Sequence, residues 1–339
     1  MQHFRLSFFV TAVCLAAAFY WGGAIGAFIA IILGVLEVSL SFDNAVVNAS
    51  VLKRMDERWQ RYFLTWGILI AVFGMRLLFP IAIVAAATGI DFVGVTNMAL
   101  HDPETYSKHL TESHIQIAAF GGMFLLMVFF SFIFDESKEL HWLGKLEEKM
   151  ASFGKLESIE IILALALLLI TQHWLPEAIR LEALVAGVSG LILFVIVDSL
   201  STLFEDEEEG EDMADVLKKG SVMSFLYLEV LDASFSFDGV IGAFAITQDV
   251  VIIMLGLAIG AMFVRSLTVY LVRQGTLDEY VFLEHGAHYA IGTLAAIMLI
   301  SMTHEIPEVI TGLVGAALIA LSVFSSIRYK RKHAETNHI

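Results

Sequence analysis

The sequence predicts an all-α, polytopic membrane protein of about ten transmembrane helices with an inverted internal repeat. Three observations carry that prediction: the apolar content, the spacing of the apolar runs, and the sorting of basic residues between them. Of 339 residues, 58% are hydrophobic and only 17% charged, and mean hydropathy is +0.78. A water-soluble chain of this length has no interior large enough for so much apolar surface, so a lipid bilayer is implied as solvent. With four prolines and no polar block of domain size, residues 1–339 read as a single membrane domain.

Apolar runs of roughly spanning length lie near 6–21, 24–52, 62–88, 114–134, 158–175, 181–204, 221–247, 250–272, 285–303 and 307–327. The first is the shortest, and Arg5 with Ala16-Ala17-Ala18 also fits a secretory leader. A retained helix agrees better with the charge sorting. Placing the amino terminus inside puts nearly all of the 20 Lys and Arg residues on one side, in the connections around 53–61, 138–155, 218–219 and 273 and in the tail after 327. The opposite side receives only Lys108 and Arg180, and Arg76 and Arg265 fall within helices. Both termini are therefore expected to be cytoplasmic, in a bacterial inner membrane.

The formal charge of −16 argues against a nucleic-acid partner, and the single cysteine, Cys14, excludes thiolate metal clusters and disulfide frameworks. A cytoplasmic loop over 205–219 contains the run Glu205-Asp206-Glu207-Glu208-Glu209-Gly210-Glu211-Asp212. It reads as a solvated linker, or as a collector that concentrates cations at an entrance.

The chemistry lies in a repeat. The second segment contains Glu37-Val38-Ser39-Leu40-Ser41-Phe42-Asp43-Asn44, and the seventh contains Asp232-Ala233-Ser234-Phe235-Ser236-Phe237-Asp238-Gly239. Acid, Ser, Ser and Asp recur at the same spacing. In each following segment a Gly precedes an Arg by nine residues, as Gly67 does Arg76 and Gly256 does Arg265. Repeat one spans about 24–134 and repeat two about 221–303. An odd number of crossings separates the motif helices, so they run in opposite directions, a pattern common in secondary transporters whose site lies where the repeats meet.

On a straight helix Glu37, Ser41, Asn44 and Asn48 share one stripe, and Ser39 and Asp43 form a second row. In the seventh segment Asp232, Ser236 and Gly239 repeat the first stripe, with Glu229 one turn earlier. Either acids of opposite repeats meet, or the helix unwinds around Ser39 to Asn44. The candidate metal ligands are Glu37, Ser41, Asp43, Asn44, Asp232, Ser236, Asp238 and Glu229. They offer oxygen alone, which suits hard cations such as Mn²⁺, Ca²⁺ or Mg²⁺. Ionisable groups at membrane depth are costly, so they read first as functional. The competing reading is a proton-sharing or arginine-paired cluster that only joins helices. Arg76 and Arg265 are expected to compensate charge. His285, His288 and Asp198 are weaker candidates for a relay, and His304, Glu305 and Glu308 read as solvated outer ends.

At Glu37 to Asn48 and Ser234 to Asp249 the sequence resembles the TerC family of integral membrane proteins. The early string is Glu37-x-x-Leu40-Ser41-x-Asp43-Asn44. The late one runs from Phe235-Ser236-x-Asp238 to Ala245-Ile246-Thr247-x-Asp249. Arg76 and Arg265 match too. Gly239 departs from the late Ser of that pattern, Gly242 stands where Ala is usual, and the long 89–113 connection points to a divergent subgroup. The resemblance implies a link to tellurium resistance and export of manganese or another metal cation.

Three readings follow. The first is an exporter of a hard divalent cation, Mn²⁺ foremost, driven by proton or ion exchange, with no prosthetic group and no enzymatic activity; no nucleotide-binding loop is present. The second is a membrane anchor whose cytoplasmic loops recruit stress-response proteins. The third is an intramembrane serine protease, suggested by Gly187-Val188-Ser189-Gly190 with His288.

Overall fold

The computed structural model describes residues 4–156, 158–205, 213–304 and 306–336, and among these the regular elements are all helices. Five helices are long and apolar enough to cross a membrane: α1 (Arg5–Leu40), α7 (His114–Ile133), α10 (Glu177–Glu205) through Ser199, α12 (Val250–Arg273) and α15 (Glu308–Thr336) over Ile310–Lys332. The bent pair Glu57–Gly67 and Ile70–Ala86 makes a sixth if it is one span. α9 (Ile159–His173) is apolar but shorter, and α11 (Met213–Ile246) carries Glu229, Asp232 and Asp238 in its apolar stretch. The molecule is a helical, multi-pass membrane protein. It packs as two compact units, residues 1–115 with 199–273 and residues 116–198 with 274–339.

In the first unit α1 is two arms joined at Gly23, whose φ of 65° and ψ of −157° reverse the chain. A Cβ at Gly26 would lie 2.9 Å from the carbonyl oxygen of Ala18, which a straight helix places more than two turns away. Both arms lie along α12. Ile252 faces Gly22 and Gly26, while Ser7 reaches Met262 and Ser266 on one side and Gly34 meets Ile259 on the other. Only glycine takes such a backbone conformation without strain. The reversal falls between the apolar runs 6–21 and 24–52, and the second of these is interrupted again at Ser41.

The second arm ends at Leu40, and α2 (Phe42–Arg54) continues it after Ser41, at φ −101° and ψ 19°. The interruption falls inside the stretch from Ser39 to Asn44 where unwinding was considered. α3 (Glu57–Leu69), capped by Asp56, leads into a π-helical segment, Ile70–Leu78, and then α4 (Phe79–Thr88). The wider π register accompanies a bend of 46°.

The connection 89–113, read from the sequence as a long link, is two short helices, α5 (Phe92–His101) and α6 (Pro103–Glu112). Each begins with an aspartate cap: Asp91 accepts from the amide of Gly94 at 3.1 Å and Asp102 from Thr105 at 3.3 Å, with Pro103 in the first turn of α6. The acidic run 206–212 lies outside the described residues. Of the predicted loop 205–219, Glu205 belongs to α10 and 213–219 to α11, which starts at Met213. Met213 to Lys219 contains no Gly or Pro to stop a helix.

In the second unit small residues set helix separation, as expected where lipid provides little drive for burying apolar surface. Gly122 of α7 faces Met298 and Leu299 of α14 (Leu283–Ser301), and Gly187 and Gly190 of α10 face Leu168 and the backbone of Phe120. The connection after α7 holds α8 (Lys145–Ala151), and the short α13 (Thr276–Glu279) precedes α14.

Candidate functional site

The first unit brings the two motif strings together side by side and antiparallel. Asn44 donates through Nδ2 to Asp232 Oδ1 at 2.9 Å. A Cβ at Gly239 would lie 2.7 Å from Glu37 Oε2. The first acid of each string therefore faces the last residue of the other. These two contacts, Glu37 with Gly239 and Asp232 with Asn44, are related by the sequence equivalence of the strings. The helices that follow are antiparallel as well, with Phe63 and Gly67 beside Arg265, and Val72 clustered with Ala258, Ile259 and Ala261.

The expected stripe is buried throughout: Glu37, Ser41, Asn44 and Asn48 on one side, and Glu229, Asp232 and Ser236 on the other. Arg76 joins them. Its Nη2 donates to Glu37 Oε1, Nη1 lies 3.8 Å from Asp232 Oδ2, and Nη1 also donates to the Ala71 carbonyl at 2.6 Å. Ser41 Oγ donates to Glu37 Oε1 at 3.1 Å. Gly260 leaves room for the Glu37 side chain, since a Cβ there would collide with it. Arg265 donates to the carbonyls of Phe63 and Gly67, each at 2.6 Å. It stacks over the Phe63 ring at 3.8 Å and lies 3.5 Å from Glu229 Oε1.

Charge compensation by both arginines is thus present in the structure. Among the described residues the acids Glu37, Glu229 and Asp232 face two buried arginines, and Asp43 is a further buried acid. Polar satisfaction is incomplete. Asn44 Oδ1, Asn48 Oδ1, Asp232 Oδ2, Glu229 Oε2 and Ser236 Oγ are buried oxygens without a hydrogen-bond partner among the described residues, an unusual number.

Other expected residues are placed differently. Asp43 is buried, but its described hydrogen bond is with the amide of Asn44 at 3.0 Å, and its charge lies in the first turn of α2, where a helix favours an anion. Ser39 of the second row is exposed and bonds back to Val35. The side chains of Asp238 and Glu308, and all of Glu305, lie outside the described residues; His304 is exposed. Among the described residues no three His, Cys, Asp or Glu side chains converge tightly enough to hold a metal ion. Any ion here would need the amide and hydroxyl oxygens as well.

The relay candidates belong to the second unit and have partners there. His285 Nε2 pairs with the Leu140 carbonyl at 2.9 Å and lies 3.4 Å from Glu147, and His288 Nδ1 pairs with the Glu284 carbonyl while its ring stacks on Phe132 at 3.9 Å. Asp198 is exposed at the end of its unit. The sequence did not single out Glu147, which is fully buried and bound by Lys138 Nζ at 3.0 Å and the Leu143 amide at 3.2 Å. Burial alone would raise its pKa, but these donors and His285 outweigh that and hold it below the ordinary value. Ser189 is exposed and bonds to its own helix at Val185, and no hydrogen bond joins it to His288 among the described residues. Its neighbouring glycines serve helix packing.

The sequence also missed the backbone carbonyls. Phe63, Gly67 and Ala71 contribute oxygens to the arginines, and the only forewarning was the glycine placed nine residues before each arginine. Asp249, at the end of the late string, caps α12 by accepting from Val251 and Ile252 and receives a bond from Trp21 Nε1 at 3.0 Å.

A buried polar cluster shared by crossing helices in an apolar, all-helical chain defines a multi-pass membrane protein with an intramembrane polar centre. A family model described as "Protein of unknown function (DUF475)" matches residues 42–333, and the chain belongs to that family. It is also similar to the "Uncharacterized membrane protein YceF" of Bacillus subtilis (strain 168), with 28% identity over 206 residues, covering 50% of this chain and 77% of that protein. No solved structure matches. These likenesses support a membrane protein family and are coarser than the resemblance to TerC.

Proposed function

We propose that this protein is a membrane transporter that exports a hard divalent metal cation, Mn²⁺ foremost, by exchange with protons or another ion. The observation that carries the reading is the antiparallel crossing of the two motif strings around buried, partnerless oxygens. Glu37, Ser41, Asn44, Asp232, Ser236 and Glu229 form the ion's path, with Asp43 and Asp238 as further carboxylates. The equivalence of the Glu37–Gly239 and Asp232–Asn44 contacts supports an inverted repeat with its axis through the cluster. The reversal at Gly23 supports ten crossings, since it divides α1 into two arms of about 27 Å at 1.5 Å per residue, close to one bilayer core each. Charge sorting then places both termini on the cytoplasmic side of a bacterial inner membrane.

The TerC resemblance supports metal export, and the oxygen-only donor set supports a hard ion over zinc or copper. Tellurite is an anion and fits an acidic site poorly, so any tellurium resistance would be indirect. The alternative reading, an anchor that recruits cytoplasmic stress proteins, would draw on the charged connections and leave the buried acids idle.

The test is Mn²⁺ flux into or out of liposomes holding the purified protein, with and without a pH gradient, beside Asp43→Asn and Asp238→Asn. Gradient-dependent flux that both folded variants lose supports exchange through the paired strings. Absence of Mn²⁺, Ca²⁺ and Mg²⁺ flux under every gradient would refute transport and favour recruitment.

A further inference from the structure

The two buried arginines differ in a way that suggests how the site is regulated, granted the transport reading above. Arg265 is fixed: two backbone carbonyls one helical turn apart and the face of Phe63 hold its guanidinium. Arg76 holds one carbonyl, that of Ala71 in its own helical segment, and otherwise bridges side chains of two other helices, Glu37 after the Gly23 reversal and Asp232 on α11. Its environment is unfinished. Among the described residues Arg76 Nε has no hydrogen-bond partner, and Asp232 Oδ2, Asn44 Oδ1 and Ser236 Oγ, all buried, have none either. A planar guanidinium fork cannot turn toward all of them at once, whereas a spherical cation with six or more oxygen ligands can. Arg76 also lies in the π-helical segment Ile70–Leu78, which differs from an α-helix by one residue in hydrogen-bond register and so has a nearby alternative conformation.

We infer that Arg76 is a tethered counter-cation that holds the Glu37–Asp232 pair in this conformation and is displaced from Asp232 by an incoming hard divalent cation, the π-helical segment absorbing the displacement. The arrangement keeps the buried carboxylates compensated when no ion is bound. It also makes ion binding and helix rearrangement one event, which alternating access requires. Arg76 is a positioning residue, and its removal separates binding from turnover.

The experiment measures Mn²⁺ binding to full-length protein in detergent by calorimetry, and flux in liposomes, for wild type, Arg76→Gln and Arg76→Lys. Removing a positive charge a few ångströms from the ion is expected to tighten Mn²⁺ binding by about tenfold or more in Arg76→Gln while flux is lost. Arg76→Lys should lie between, since an ammonium cannot bridge both carboxylates. Thermal unfolding without ion establishes that each variant is folded. Equal or weaker binding in either folded variant overturns the inference. Hydrogen exchange of wild-type residues 70–78 gives a second reading that needs no variant: Mn²⁺ should change their protection, and unchanged protection at saturation overturns displacement. Wild type that neither binds nor moves Mn²⁺, Ca²⁺ or Mg²⁺ fails at the transport reading itself, a result distinct from a binding, transporting protein indifferent to Arg76.

Discussion

Repeat one and repeat two use the same residues for different work. In the first, Arg76 reaches carboxylates on other helices and its own helix is locally π-helical; in the second, Arg265 grips the backbone of α3 from a regular α-helix. The strings differ at their last residue in the same sense. Asn44 supplies an amide to Asp232, whereas Gly239 supplies nothing and leaves space for Glu37. Of two similar stretches, one thus sets its arginine against side chains of other helices and the other sets its arginine against backbone. The difference comes from which polar groups each helix meets, since the side chains at the arginine positions are identical.

The sharpest way to break the comparison is to neutralise the acids that Arg76 bridges. Glu37→Gln and Asp232→Asn should each reduce Mn²⁺ flux to that of empty liposomes, because each removes an ion ligand and half of the arginine's compensation. The same charge change at Glu229, beside the fixed arginine, should leave measurable flux. Equal losses at all three would mean the halves are functionally alike.

Stability should show the reverse bias. Arg265→Gln cuts the tie between α12 and α3 and leaves Glu229 without its counter-charge, so it should destabilise the protein by about 3–5 kcal/mol, the usual cost of breaking a buried pair. Gly67→Ala should cost about 1–3 kcal/mol, because the added methyl lies 2.6 Å from Arg265 Nη1 and 2.8 Å from Glu229 Oε1. Gly74→Ala, in the π-helical segment, meets only Ile70 at 3.4 Å and should be tolerated. Thermal melts in one detergent rank the three.

Gly239→Ser tests whether the asymmetry at the ends of the strings matters. The new Cβ would press on Glu37 Oε2, so Glu37 has to turn, and Mn²⁺ affinity should fall several-fold with little change in melting temperature. Unchanged affinity would mean that the space beside Gly239 is not used by the ion.

Much of this was legible in the sequence because it depends on spacing alone. The burial of Glu37, Ser41, Asn44 and Asn48 on one stripe follows from a period of 3.6, and the strings meet antiparallel, as their likeness suggested. The division into two units was not legible, since each gathers helices from both halves of the chain. The fate of Asp43 was not legible either. Asp43 lies in the first turn of α2 and accepts from the Asn44 amide, while Arg76 turns to Glu37 and Asp232. The caps Asp91 and Asp102, with Pro103, were signals in plain view; the helices they start have ten residues each, too short to register as spans, so their region read as a link. The clamp at Glu147 joins the nearby Lys138 and Leu143 to the distant His285, a contact no local pattern reports.

The smallest expected effect separates the two serine rows. Ser41 donates to Glu37 from within the buried stripe, and Ser39 bonds to Val35 from an exposed position of the same helix. Ser41→Ala removes one donor from a buried carboxylate and should cost about 1.5–3 kcal/mol, as hydrogen bonds to charged groups do. Ser39→Ala should stay within about 0.5 kcal/mol of wild type, or stabilise slightly by removing a hydroxyl that competes for a helix carbonyl. The comparison also reaches the other repeat, where Ser236 has no partner for its hydroxyl and Ser234 bonds to Val230. If Ser236 serves only packing, Ser236→Ala relieves a partnerless buried group and the protein becomes more stable. If it is an ion ligand, the same variant gains stability without Mn²⁺ and loses the extra stabilisation that Mn²⁺ confers on wild type, so melts with and without the ion distinguish the two.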